Sequence, residues 1–306
     1  MIFKGVCTAL ITPFKQDKSI DYVALKRLIN NQIEARVSAI LILGTTGESA
    51  TVDYYERDEI IRFARRLIKK PIKLIVGTGS NNTSSAVKNT IQAKRLGADA
   101  VLCVTPYYNK TTQNGIIEYY KKIDSINIPF FVYNVPSRTG VNILPNTYTK
   151  LCNLKNIAGI KEANGNIEHI LEVFEKVDNQ KIYCGNDNLS FIFHSLGANG
   201  IISVTSNAFP KDVVCAWKSL VAHKKYSKKF YFINKDLFIE PNPIPVKYVL
   251  AKSKLIKNEL REPLTKLQEN HKKVLDGDLK NIWKLFWLVQ MEEWAKRCNI
   301  FLPKTK

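Results

Sequence analysis

The sequence contains no Cys-x-x-Cys pair, no clustered histidines and no Gly-x-Gly-x-x-Gly after its first apolar run. No apolar run approaches the roughly 18 residues that a membrane span needs. Each absence excludes a class of protein. The six cysteines (Cys7, Cys103, Cys152, Cys184, Cys215 and Cys298) are scattered singly, several inside apolar runs such as "VLCVTP". They read as buried free thiols rather than disulfides or metal ligands. The four histidines (His169, His194, His223 and His271) are isolated, so no protein-built metal site is expected. The opening "MIFKGVCTALITPF" lacks the charged head, long apolar stretch and small-residue cleavage site of an export signal. The expectation is a cytoplasmic protein.

Apolar residues are not scarce: they make up 45% of 306 residues, enough for a sizeable core. Net charge is +19. The lysines alternate with apolar residues at helical spacing, as on solvated helix faces, and the abundance of Lys, Asn and Ile fits a compositional bias. No nucleic-acid partner is expected.

Up to about residue 224 the chain alternates strand-like and helix-like segments. The strand candidates are 6–13, 39–47, 73–80, 100–108, 130–136, 157–163, 181–187 and 200–206. Each is a continuous apolar run rich in β-branched residues, the pattern of strands buried on both faces. Amphipathic segments such as "YVALKRLINNQIEARV" lie between them. Eight such units predict an α/β protein, a (β/α)8 TIM barrel over 1–224. Residues 225–306 read as a C-terminal helical appendage, reached through a proline-stiffened connection at 240–247 and ending in "NIWKLFWLVQMEEWAKRC".

Active sites of such barrels gather at the C-terminal ends of the strands. Those ends read "GTTGES", "GTGSNNT", "TPYYN", "YNVPSRTG", "KEANG" and "GND". They offer hydroxyls, glycine-freed amides, one arginine and one lysine, without a histidine or a carboxylate cluster. That inventory argues against metal-assisted hydrolysis, glycoside hydrolysis and Ser-His-Asp chemistry. It suits amine chemistry.

Lys161 ends the apolar run "IAGI". A solvated lysine is protonated and a poor nucleophile, whereas a dry barrel rim disfavours the charged form and frees amine to attack a carbonyl. The same local pattern fits a lysine that snorkels from a strand end or pairs with Glu162. "GTTGES" could hold a small carboxylate or be an ordinary turn with a Ser or Thr cap. Tyr133 could reach a cavity or pack in the core. Arg138 could form a fork to a substrate carboxylate or a surface ion pair.

Taken in order and spacing, "GTTGESAT" (44–51), "TPYYN" (105–109), "YNVPSRTG" (133–140), "GIKEANGN" (159–166), "GIISVTSN" (200–207) and "EPNPIPVK" (240–247) resemble the dihydrodipicolinate synthase family, also called 4-hydroxy-tetrahydrodipicolinate synthase. The resemblance implies a lyase of the diaminopimelate and lysine biosynthesis pathway that condenses pyruvate with L-aspartate-4-semialdehyde. It implies no cofactor beyond a covalent imine at Lys161. It makes Tyr133 the proton relay, Thr45 its hydroxyl link, and Tyr108 a residue inserted into a neighbouring subunit's site. Thr46 would hold pyruvate's carboxylate, Arg138 the second substrate's carboxylate, and Ile202 would place a backbone carbonyl near the lysine. A site of this kind implies a homotetramer built as a dimer of dimers.

Many members of the family bind lysine as an inhibitor. Ser49, Ala50, Asn81 and Tyr107 match that pocket, but its two histidine positions hold Tyr54 and Arg57, and its acidic position is Ser85. An added cation and a lost carboxylate disfavour a dibasic ligand, so weak or absent lysine inhibition is expected. An N-acetylneuraminate lyase or keto-deoxy sugar acid aldolase would share the imine lysine, but such lyases generally lack arginine at the position of Arg138. A non-catalytic basic nucleic-acid-binding protein would instead bind nucleic acid salt-sensitively and form no imine.

Overall fold

The computed structural model describes residues 2–177, 180–221 and 233–280. Within them, eight parallel strands close into a barrel in chain order: β1 (Gly5–Ala9), β2 (Ala39–Ile42), β3 (Lys73–Gly77), β4 (Ala100–Val104), β5 (Phe130–Asn134), β6 (Ile157–Glu162), β7 (Ile182–Cys184) and β8 (Gly200–Ser203). Closure pairs Gly5 with Gly200 and Cys7 with Ile202. Helices include α1 (Tyr22–Glu34), α2 (Tyr54–Leu67), α3 (Thr83–Arg95), α4 (Gln113–Asp124), α5 (Pro136–Thr139), α6 (Pro145–Leu151), α7 (Ile167–Lys176), α8 (Ser190–Ser195), α9 (Pro210–Val221) and α10 (Ile244–Lys252). The expected barrel is therefore present. No described helix is long and apolar enough to cross a membrane, and the described residues contain no group of three His, Cys, Asp or Glu side chains able to hold a metal.

Alternation along each strand divides the core in two. Phe130, Val132, Ile160 and Ile182 point outward into the layer beneath the helices. Phe131, Tyr133, Tyr183 and Ile202 point inward. Phe3, Phe131 and Tyr183 fill the barrel interior, with Phe3 and Tyr183 ring centres 4.4 Å apart and the Tyr183 hydroxyl donating to Phe3 O at 2.7 Å. Because both faces of each strand are buried, apolar residues predominate on both, which explains the continuous apolar runs, and the polar exceptions such as Asn134, Lys161, Glu162 and Ser203 stand near the C-terminal strand ends.

The strands begin within a residue of expectation but end earlier, β1 at Ala9 rather than 13 and β2 at Ile42 rather than 47. Beyond those points the chain remains buried at Leu10, Ile11 and Leu43 while leaving the sheet ladder. Burial, which the apolar pattern reports, outlasts strand pairing. The connection expected at 240–247 is loop only to Pro243; α10 then starts at Ile244. Pro245 sits in its first turn, where the missing N–H has no intrahelical partner to lose. The expected helix at 281–298 and Cys298 lie outside the described residues.

Candidate active site

Lys161 and Glu162 are neighbours on β6 and face opposite sides of the barrel wall. Glu162 is turned outward and saturated: Asn134 Nδ2 reaches both its oxygens at 3.1 Å, the Tyr148 hydroxyl donates at 2.7 Å and the Asn164 N–H at 2.7 Å. The alternative of a Lys161–Glu162 pair is thereby excluded. Lys161 turns inward, is 6% exposed, and places Nζ 4.2 Å from the centre of the Tyr133 ring, its register partner on β5. It does not snorkel. Room for its stem comes from Gly185, just past β7, where an added Cβ would lie 3.1 Å from Lys161 Cε.

The amine opens into a cavity of about 480 Å³, lined by Thr45 and Thr46 after β2, Tyr133 on β5, Arg138 on α5 and Phe238–Asn242 from the C-terminal segment. Among the described residues, Glu240 is the one acidic side chain lining this space. The buried Cys7 and Cys184 thiols do not compete as nucleophiles, since burial pushes Cys7 up to about 12 and raises Cys184 as well. Cys7, Cys103, Cys152, Cys184 and Cys215 are all free.

The "GTTGES" turn folds on itself through Gly47 N–H to Gly44 O at 3.0 Å and Glu48 N–H to Thr45 O at 3.0 Å. It does not cap α2. Asp53 does, accepting from the Glu56 N–H at 2.9 Å while Glu56 returns the bond to the Asp53 N–H. The turn is fixed instead from the C-terminal segment. Glu48 pairs with the fully buried Lys247 of α10 and accepts from the Arg261 N–H at 3.0 Å. The Lys247 amine also donates to Glu259 O at 2.9 Å and lies 4.2 Å over the Phe14 ring. Burial pushes this ammonium down to about 8 even beside Glu48.

Thr46 accepts from Asn242 Nδ2 at 2.9 Å, and Arg138 donates to Asn242 O at 3.1 Å. Among the described residues no carboxylate forms an ion pair with Arg138; α5 carries it to the rim and ends at Gly140 in the left-handed region. No hydrogen bond joins the Thr45 and Tyr133 hydroxyls. Ile202 is buried inside the barrel on β8 and is absent from the cavity wall. Tyr108 is also outside the cavity: it stands 91% exposed on the loop after β4, at φ 71°.

A second cavity, of about 540 Å³, adjoins the first through Thr45, Val135, Arg138 and Asn242. It gathers Ser49, Ala50, Tyr54, Arg57 and Tyr107; Asn81 and Ser85 do not line it. Asn81 instead receives the Asn109 side chain, and Ser85 lies in the capped first turn of α3. Arg57 is 7% exposed and donates to Gly77 O at 2.7 Å, and burial pushes its guanidinium down to about 10. Sequence reasoning missed Gly185, Asn242 and the Glu48–Lys247 pair. All three stand inside the quoted motifs, yet their roles depend on contacts between distant segments.

A family model described as the dihydrodipicolinate synthetase family matches residues 2–282. A 4-hydroxy-tetrahydrodipicolinate synthase of Alkaliphilus oremlandii is 45% identical over 287 residues, covering 90% of this chain and 97% of the relative. The crystal structure of a dihydrodipicolinate synthase of Thermotoga maritima superposes with a TM-score of 0.88 at 40% identity, covering 92% of this chain and 99% of that one. The chloride-inhibited enzyme of Acinetobacter baumannii, complexed with pyruvate, gives 0.87 at 38% identity, covering 90% and 98%.

Proposed function

The chain belongs to the dihydrodipicolinate synthetase family, and we infer that its barrel mouth carries out the 4-hydroxy-tetrahydrodipicolinate synthase reaction of lysine and diaminopimelate biosynthesis. The observation that carries the chemistry is a buried amine stacked on a tyrosine ring inside a cavity large enough for two small substrates. Lys161 attacks the ketone carbon of pyruvate; water leaves and an imine forms. The imine withdraws electrons, so the adjacent methyl carbon gives up a proton and becomes a nucleophile. That carbon bonds to the aldehyde carbon of L-aspartate-4-semialdehyde, whose oxygen takes a proton, and the amino group of that substrate then attacks the imine carbon, closing the ring and releasing the Lys161 amine. No resident cofactor is needed, because the imine itself is the electron sink.

The Tyr133 hydroxyl serves as proton relay, with Thr45 as the next hydroxyl in line once substrate orders the mouth. Thr46 and the neighbouring amides hold pyruvate's carboxylate, and Arg138 at the rim takes the carboxylate of the second substrate. Ile202, beside Cys7 in the closing register, serves by its backbone. A tyrosine as exposed as Tyr108 fits insertion into a neighbouring subunit's site, supporting a homotetramer of paired dimers. A cytoplasmic location goes with this biosynthetic role.

The test is borohydride reduction in the presence of pyruvate, read by intact mass. One pyruvate is expected to be trapped, on Lys161. Lys161→Ala abolishes the adduct, while Arg138→Ala keeps it and raises KM for the aldehyde substrate. A parent protein that traps no pyruvate overturns the reading.

A further inference from the structure

Thr46 and Arg138, the groups read above as the two carboxylate holders, lie on different barrel loops, yet one residue touches both. Asn242 is 6% exposed and lines both cavities. Its side-chain Nδ2 donates to Thr46 Oγ1 at 2.9 Å, and its backbone oxygen accepts from Arg138 Nη2 at 3.1 Å. The bond to Thr46 crosses 196 positions of sequence, so it reports tertiary placement and not local turn geometry.

The direction of that bond matters. A hydroxyl has one hydrogen to give and lone pairs to receive, whereas an amide nitrogen only gives. With Asn242 donating to it, Thr46 keeps its own hydrogen, and no acceptor among the described residues takes it. A hydroxyl already polarised as an acceptor is also a better donor. The free O–H thus belongs to whatever fills the cavity, and an anion is the occupant it serves best. The backbone oxygen of the same residue meanwhile fixes the Arg138 fork.

We propose that Asn242 is a positioning residue that reserves the Thr46 hydrogen for pyruvate's carboxylate and sets its spacing from Arg138. The inference rests on the assignment of Thr46 and Arg138 made above. No hydrogen bond joins Asn242 to the Lys161 amine; its bonds run to Thr46 and Arg138, and through them it acts.

Asn242→Asp tests this with no change of size. An ionised aspartate can only accept, so Thr46 turns its hydrogen toward residue 242 and pyruvate loses a donor while meeting a like charge. The KM for pyruvate is expected to rise about tenfold or more, with kcat at saturating pyruvate reduced less. The defect, measured as the ratio to the parent protein at each pH, shrinks as pH falls and the aspartic acid regains a hydrogen to give. Asn242→Gln, which keeps a donor on a longer stem, recovers part of the loss. Circular dichroism and thermal unfolding check that each variant folds. A folded Asn242→Asp protein with pyruvate KM within twofold of the parent, or with a defect that does not vary with pH, overturns the proposal. A parent that traps no pyruvate under borohydride overturns instead the site reading beneath it.

Discussion

Replacing Gly185 by alanine puts one methyl group where the site has no space for it. Its Cβ would lie 2.7 Å from Ala163 Cβ, 3.0 Å from Glu162 O and 3.1 Å from Lys161 Cε. Carbon atoms rest at about 3.5–4.0 Å, so the ends of β6 and β7 must part by about 1 Å. All three obstacles belong to β6, the strand that carries the amine, or to Ala163 just after it. The backbone oxygen of Glu162 cannot yield by rotating, because the Gly185 N–H already donates to it at 2.8 Å. Overpacking of this kind costs about 1–3 kcal/mol, which for a chain of this length lowers the melting temperature by roughly 2–5 °C. The effect on chemistry is larger. A displacement of about 1 Å at a reacting group costs about 100-fold in rate, so pyruvate trapping and turnover should both fall by that order. Intact-mass time courses under borohydride measure imine formation, and initial velocities with both substrates measure turnover. A folded Gly185→Ala protein that traps pyruvate and turns over within twofold of the parent refutes the reasoning.

Three further outcomes are expected. Lys247→Met, which strands Glu48 in the core, costs about 3–5 kcal/mol in denaturant unfolding at neutral pH. The folded Lys247 ammonium, at about 8, lies below its ordinary 10.5, so the unfolded chain holds the extra proton between those values. Stability from this group then rises with pH across that window; the gap between parent and Lys247→Met should widen from pH 8 to 10, and a constant or narrowing gap contradicts the assignment. L-Lysine at millimolar concentration should leave initial velocity unchanged, because the buried Arg57 cation faces the cavity that would receive it; half-inhibition in the micromolar range refutes this. Tyr133→Phe keeps the ring beneath Nζ but removes the relay, lowering kcat by roughly 100-fold with little change in melting temperature; full activity would remove Tyr133 from the proton path.

Much of the architecture was legible because a strand buried on both faces must be apolar throughout, and eight such runs stand out at regular intervals. The same property hid the phase of each strand. In "IAGIKE" no polar alternation tells which of Lys161 and Glu162 faces inward, so the amine and the outward carboxylate could be distinguished only in three dimensions. The strand-end motifs were legible as a collection of hydroxyls, amides and one amine. Their supports were not: Gly185 matters because of residues 161–163, Asn242 because of Thr46, and Lys247 because of Glu48. Such pairings leave no periodic trace, since each partner alone obeys an ordinary local rule.

The segment carrying Phe238–Asn242 has a consequence for how the molecule becomes competent during synthesis. The last barrel strand ends at Ser203, so every staves-and-hoop contact of the cylinder can form before this segment leaves the ribosome. The chamber at its top would then still lack one side, and Thr46 and Arg138 would stand without the residue that joins them. A half-made chain can thus be closed as a cylinder yet idle as a catalyst, its activity arriving with the final quarter of the polypeptide rather than with the fold that houses it.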